Sequence, residues 1–419
     1  MARGKRGRGG GARAAAVPPF GADHADWAAA LTHGDALPVA TALAKLAPNP
    51  PDFGAFLPAG VARGAEQIAA EQLGHLLDGW RFLSSAFFAR VTNSPAGVVH
   101  YAYYAELRAA FSLMASTGLR VKWRDSYYVD AAGAVHALSN WQTHECVWKV
   151  WPQWLSRSDV VGKFQANIKL HPLVPLQELM QEINSHLGAH AIKSWGLDLL
   201  KPASDHDFRN TASYESAITS VLQEDISPPI SDRFRKAWEL MLPNASSLRF
   251  DEAFSAYLLY VAMKYRTGAD AVEDVLSSEV FERMADVLSR HFGVPSQLFA
   301  ETVRANSEYF EIFELASTPV NDPDAVMIRA LFLLRVAAAF AKSEVPPAAP
   351  IRDRLKGWLA RVGVRKQNST GLVSDIAKDY EDALDDLQVP FTAADICGAR
   401  VHPTSVRLTR ADAVVAWAV

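Results

Sequence analysis

Ala62-Arg-Gly-Ala-Glu-Gln-Ile68-Ala-Ala-Glu-Gln-Leu73-Gly-His-Leu76-Leu77-Asp-Gly-Trp80-Arg-Phe-Leu83-Ser-Ser-Ala-Phe87-Phe-Ala-Arg-Val91 is the stretch that decides the fold class. Its apolar residues recur at three- and four-residue intervals, the repeat of one helical face. The reading is one long amphipathic helix. Ser94-Pro95 then supplies a cap and a first-turn proline for a second helix, which Gly118 ends. On that helix Tyr104, Leu107, Phe111 and Met114 share an apolar face, and His100, Tyr104 and Arg108 line one edge.

Helical spacing dominates the rest of the chain. Between Leu119 and Leu138 the pattern shortens into strand-like runs separated by turns, including Asp130-Ala-Ala-Gly133. A small β-hairpin or meander inserted into a helical domain is expected there. Thr143 is placed as the cap of a helix running through Trp148 and Trp154, and another helix covers Pro175 to Leu187. Pro228-Pro229 is the candidate linker. Beyond it, helices are expected at about 231–241, 251–266, 271–292, 296–315, 322–341 and 374–387, the fifth central to a second core. The expected fold is mainly α: a helical bundle with a small β insertion, followed by a second helical region. Its parts are a disordered basic tail over 1–18, a first domain over 19–227 and a second over 230–419.

Composition sets bounds. The 419 residues carry a net charge of -4, which gives no whole-protein drive toward nucleic acid. Arg3, Lys5, Arg6, Arg8 and Arg13 crowd the glycine-rich start, read either as a phosphate-binding arm or as a solubilising tail. No apolar core follows that start, so no secretory signal is expected. The most apolar window, Ala325 to Ala341, is broken by Arg329 and Arg335, falls short of about 20 residues and reads as a buried helix, so no membrane partner is expected. Cys146 and Cys397 are too few for a disulfide scaffold or a zinc site, and a cytoplasmic location fits.

The polar run Asp205-His206-Asp207-Phe208-Arg209-Asn210-Thr211-Ala212-Ser213-Tyr214 gathers carboxylates, an imidazole, a guanidinium and a phenol. Two further stretches accompany it, Val99-His-Tyr-Ala-Tyr-Tyr-Ala-Glu-Leu-Arg108 and Thr143-His144-Glu145-Cys146-Val147. Together they resemble HEPN-type proteins (higher eukaryotes and prokaryotes nucleotide-binding) over Ala62 to Gln223. Those proteins open on a Tyr-Tyr-Ala helix and carry an RNase motif of Arg, a polar residue and a His four to six residues after the Arg. The resemblance implies a helical bundle, dimerisation, bacterial antiphage or toxin–antitoxin roles, and RNA cleavage without metal by Arg and His at a dimer interface. Here Arg209-Asn210 begins the motif and Tyr214 stands where the His would be.

That departure matters, because an imidazole with a pKa near about 6.5 exchanges protons at neutral pH and a phenol near about 10 does not. Tyr214 could position a phosphate that Arg209 binds, and His206 could replace the missing imidazole. The candidate catalytic set is therefore Arg209, Asn210, Tyr214 and His206, with His100, Tyr104, Arg108 and His144 as RNA or ligand contacts. A structural reading stands beside it: Arg209 pairs with Asp205 or Asp207 and fixes a helix start. His186 and His190 with Glu182 have zinc-like spacing but lack the Glu between the histidines that zinc peptidases use, and read as ordinary histidines. Trp141, Trp148, Trp151 and Trp154 read as core or interface, and the acidic residues from Asp375 to Asp386 as a solvated helix face. No metal or cofactor is expected. RNA and a protein partner or second copy are the candidate partners. The expected function is a defence-associated scaffold or sensor subunit with a degenerate HEPN-like domain, the alternative being a metal-independent ribonuclease with a variant site.

Overall fold

The computed structural model describes residues 20, 22–46, 62–92, 94–187, 202–214, 228–244, 248–317, 322–345, 355, 357–360, 373–385 and 407–418. The expectations placed on the basic tail 1–18, on His190 and on Cys397 lie outside the described residues. The fold is mainly α, with two small antiparallel sheets.

Two short helices, α1 (Ala25–His33) and α2 (Ala36–Lys45), precede the pair that organises the bundle, α3 (Ala65–Val91) and α4 (Pro95–Ala115). The face of α3 read from the sequence is the buried one: Ile68, Leu76, Trp80, Leu83 and Phe87 are all fully enclosed. Pro95 opens α4, where its missing N–H costs no hydrogen bond, and Ser94 flanks it without a side-chain cap. α4 is enclosed on more than one face, since Tyr103, Glu106 and Ser112 are buried along with Leu107 and Met114.

Gly118 turns the chain at φ +81°, and a Cβ there would stand 2.5 Å from the Asp35 carbonyl oxygen and 2.9 Å from that of Val129. Only glycine fits this close approach. Strands β1 (Leu119–Arg120), β2 (Tyr127–Val129) and β3 (Val135–Ala137) follow as an antiparallel meander, with Leu119 opposite Tyr128 and Tyr128 opposite His136. The insertion is thus a meander. Helix α5 (Thr143–Leu155) begins one residue earlier than expected, with Gln142 as the flanking residue. Thr143 does not cap it: its hydroxyl accepts from the Trp123 backbone N–H at 3.0 Å, which ties the β1–β2 turn to α5. Trp148, Trp151 and Trp154 are buried in the core.

Helix α6 (Ser158–Asn167), the hairpin β4 (Lys169–His171) and β5 (Val174–Pro175), and helices α7 (Leu176–Leu187) and α8 (Pro202–Tyr214) complete the first half. The second half runs through α9 (Pro228–Met241), α10 (Arg249–Thr267), α11 (Val272–Leu276), α12 (Glu279–Phe292), α13 (Ser296–Asn306), α14 (Phe310–Ser317), α15 (Pro323–Glu344) and α16 (Val373–Asp385). The helix expected over 271–292 is broken at Ser277-Ser278, because the Ser278 hydroxyl accepts from the Phe281 N–H and starts α12 afresh. The one expected over 296–315 is interrupted by a 3-10 turn at Ser307–Tyr309. On α16, Asp379, Glu381 and Asp382 face solvent while Tyr380 and Leu384 are buried.

α15 is buried at every position from Asp324 to Ala341. A helix apolar all round needs neighbours on all sides, and it packs chiefly on α4 and α3, with α14 and α6 beside it. The helix expected at the heart of a second core is therefore built into one apolar core shared with the first bundle.

Candidate functional site

The polar run is a helix. α8 lies along α4 and directs Asp205, Phe208, Arg209 and Ala212 inward at helical spacing. Asp205 makes two hydrogen bonds with Arg329 of α15, at 2.7 and 2.6 Å. It is therefore not the partner of Arg209. Asp207 is exposed and has His206 Nδ1 at 3.5 Å. The ion-pair reading of Arg209 gives way to an aromatic one. The guanidinium carbon lies 5.1 Å from the ring centre of Tyr103 and 5.4 Å from that of Tyr104, both on α4.

Around this guanidinium the structure gathers three imidazoles from three elements. The His206 ring stands 5.6 Å from Tyr103 and 6.1 Å from His144 of α5. His144 Nδ1 lies 3.0 Å from the Tyr103 hydroxyl, which also accepts from the Trp148 indole N–H at 3.2 Å. His100 packs 5.0 Å from Tyr104 and bonds Ser213 of α8 through Nδ1 at 3.1 Å. Burial, then the charge of Arg209, hold the His144 and His100 imidazolium forms down. Burial pushes the Tyr103 phenol up to about 12, so it stays protonated. With Nδ1 of His144 engaged, its Nε2 is the nitrogen left for a ligand.

Arg108 sits one turn beyond Tyr104 and donates to His75 Nδ1 of α3 at 2.9 Å. Burial, followed by the charge of Arg108, lowers His75 to about 3 and keeps it neutral. Between α3, α4, the β1–β2 turn and the start of α5 opens a cleft of about 670 Å³, with Tyr104, Arg108, Lys122, Trp123 and His144 on its walls. Tyr104 and His144 thus belong to both the cleft and the cluster.

Of the eight residues expected to act, Arg209, His206, His144, His100 and Tyr104 converge, and Arg108 joins them through the cleft. Asn210 is half-buried on α8. The backbone of Tyr214 closes α8, while its side chain lies outside the described residues. Sequence reasoning missed Tyr103, which orients His144 and carries Arg209; its signal was the Tyr103-Tyr104 pair, of which only the second was placed at the site. Glu106 was missed as well. It is fully buried beside Asp205 with Arg329 Nε at 3.7 Å, and burial, then the Asp205 charge, raise its pKa well above 4.5.

No group of three or more His, Cys, Asp or Glu side chains among the described residues is arranged to hold a metal ion. The His186 side chain lies outside them, and Glu182 pairs with His291 at 3.2 Å. No described helix is long and apolar enough to cross a membrane. The fold and site define a mainly α chain with a histidine–arginine cluster where three helices meet. Compared with known proteins, it matches no family model, no curated protein and no solved structure.

Proposed function

We propose that the cluster between α4, α5 and α8 engages an RNA phosphodiester and cleaves it without metal, in the bacterial defence setting implied by the HEPN resemblance. The observation that carries this reading is the His144–His206 pair, 6.1 Å apart beside Arg209. Two imidazoles at that spacing can bracket one phosphate. One takes the proton of the 2′-hydroxyl as its oxygen attacks phosphorus, and the other gives a proton to the departing 5′-oxygen, leaving a 2′,3′-cyclic phosphate. As the base, His144 would carry its hydrogen on Nδ1, held by the Tyr103 oxygen, and accept at Nε2. Arg209 adds positive charge for the developing oxyanion. The imidazole absent at position 214 would then be supplied from α5 and from the preceding turns of α8.

A second reading, the scaffold or sensor subunit with a second copy or another protein as partner, is favoured by one observation. Arg209 is only 7% exposed and packed on two phenol rings, a place suited to fastening α8 to α4. An RNA-cleavage assay in chelator-containing buffer separates the two. Ribonuclease function predicts cleavage by the wild type and losses of about 100-fold or more in both His144→Ala and His206→Ala. A silent wild type, with activity appearing in Tyr214→His, would establish the degenerate scaffold instead.

A further inference from the structure

The cleft beside the cluster has three properties that point to one kind of occupant. It is held in shape, because the turn carrying Trp123 is fixed at both ends. Asp125 N–H donates to the Lys122 carbonyl at 3.0 Å, Lys122 N–H to the Ser126 hydroxyl at 2.9 Å, and Trp123 N–H to Thr143 at 3.0 Å. It offers an aromatic platform: the Trp123 side chain is 55% exposed although it lines the wall, and the Arg124 guanidinium lies over its ring at 4.2 Å. Arg124 adopts φ +61°, the only positive φ of a non-glycine among the described residues, a strain of about 1–3 kcal/mol that the fold maintains at this turn. Finally, it is positive. Lys122 and Arg108 line it, Arg108 with the exposed Asp78 carboxylate 3.7 Å away, while the acid on its wall, Glu71, is neutralised by Arg120 through two hydrogen bonds of 2.6 Å.

An exposed indole between cations, in a cleft of about 670 Å³, matches a flat heteroaromatic ring that carries phosphate. We infer that the cleft seats a base of single-stranded RNA against Trp123, with Lys122 and Arg108 on the neighbouring phosphates. This rests on the ribonuclease reading for the choice of RNA. Because His144 and Tyr104 line both spaces, a strand with a base in the cleft passes its next phosphodiester to the His144–His206 pair. The base-binding cleft then fixes which bond is cut. Stacking reads a ring face rather than an edge pattern, so the preference is for unpaired strands of any sequence.

The test is fluorescence polarisation with a labelled uridine 12-mer in chelator at low temperature, using the full chain. Trp123→Ala should weaken binding on the order of ten-fold or more, and Trp123→Phe should restore much of it. Lys122→Ala should reduce the salt dependence by about one phosphate contact. A duplex of the same length should bind more weakly than the single strand. Trp123 is solvent-exposed, so these variants keep the fold, and circular dichroism checks that. Wild-type binding to the 12-mer that is absent, or unchanged by both Trp123→Ala and Lys122→Ala, would overturn the inference. Binding that depends on Trp123 without any cleavage would leave the cleft standing and remove the ribonuclease reading. Cleavage that is indifferent to Trp123 would do the reverse.

Discussion

The Arg329 guanidinium on α15 closes on the Asp205 carboxylate of α8 through two hydrogen bonds, with both side chains under a tenth exposed. Glu106 of α4 stands third at this point, so two carboxyl groups share one guanidinium in the core. Arg329→Met leaves the buried Asp205 carboxylate without its counter-charge and should cost about 3–5 kcal/mol. Asp205→Asn should cost less, because Glu106 can ionise and take its place. Urea unfolding of the two variants measures the order, and a larger loss in Asp205→Asn would refute this account.

Glu106 also sets a pH dependence. Its folded pKa lies well above the ordinary 4.5, so the native state holds a proton that the unfolded chain releases. Stability from this group is full below 4.5 and declines as pH rises toward the folded value. Glu106→Gln keeps the neutral form at every pH. It should flatten that decline and raise stability at neutral and alkaline pH, read from unfolding midpoints across the range. A decline as steep in the variant as in the wild type would assign it elsewhere.

His144 should titrate below 6.5, because burial and the nearby Arg209 charge both disfavour the imidazolium. Arg209→Gln removes one of these influences and should move the His144 pKa upward, followed by NMR of the imidazole protons. An unmoved pKa would mean that Arg209 does not act on His144.

Gly118→Ala places a methyl group 2.5 Å from the Asp35 carbonyl oxygen at a φ of +81°. The strain and the clash should together cost more than about 1 kcal/mol, seen as a lowered melting temperature. The meander beyond it should loosen first in hydrogen exchange, since Asp35 N–H and Val129 N–H bond across this same junction.

Much of the fold was legible from spacing. The periods over 62–91 and 95–118 have one dominant reading, and the strand-like runs and the Asp130-Ala-Ala-Gly133 turn between 119 and 138 placed the meander. The breaks at Ser277-Ser278 and Ser307–Tyr309 were missed because apolar spacing continues across them, while the local bonds that restart each helix do not show in a period. At the site, the functional types were visible one at a time. Their convergence was not, since α4, α5 and α8 meet only in three dimensions. The partner of Asp205 lay more than a hundred residues away in an apolar window. A charge isolated in such a window is the signature of a buried counter-charge, and Arg329 and Arg335, the latter paired with Asp251, both obey it.

The place of α15 has a consequence for synthesis. About 200 residues separate the end of α4 from the helix that covers it. A ribosome adding roughly 5–20 residues per second leaves that apolar side uncovered for about ten to forty seconds. The first bundle therefore emerges long before it can close, and the nascent chain is a natural client for chaperones that shield apolar helices until α15 has left the exit tunnel.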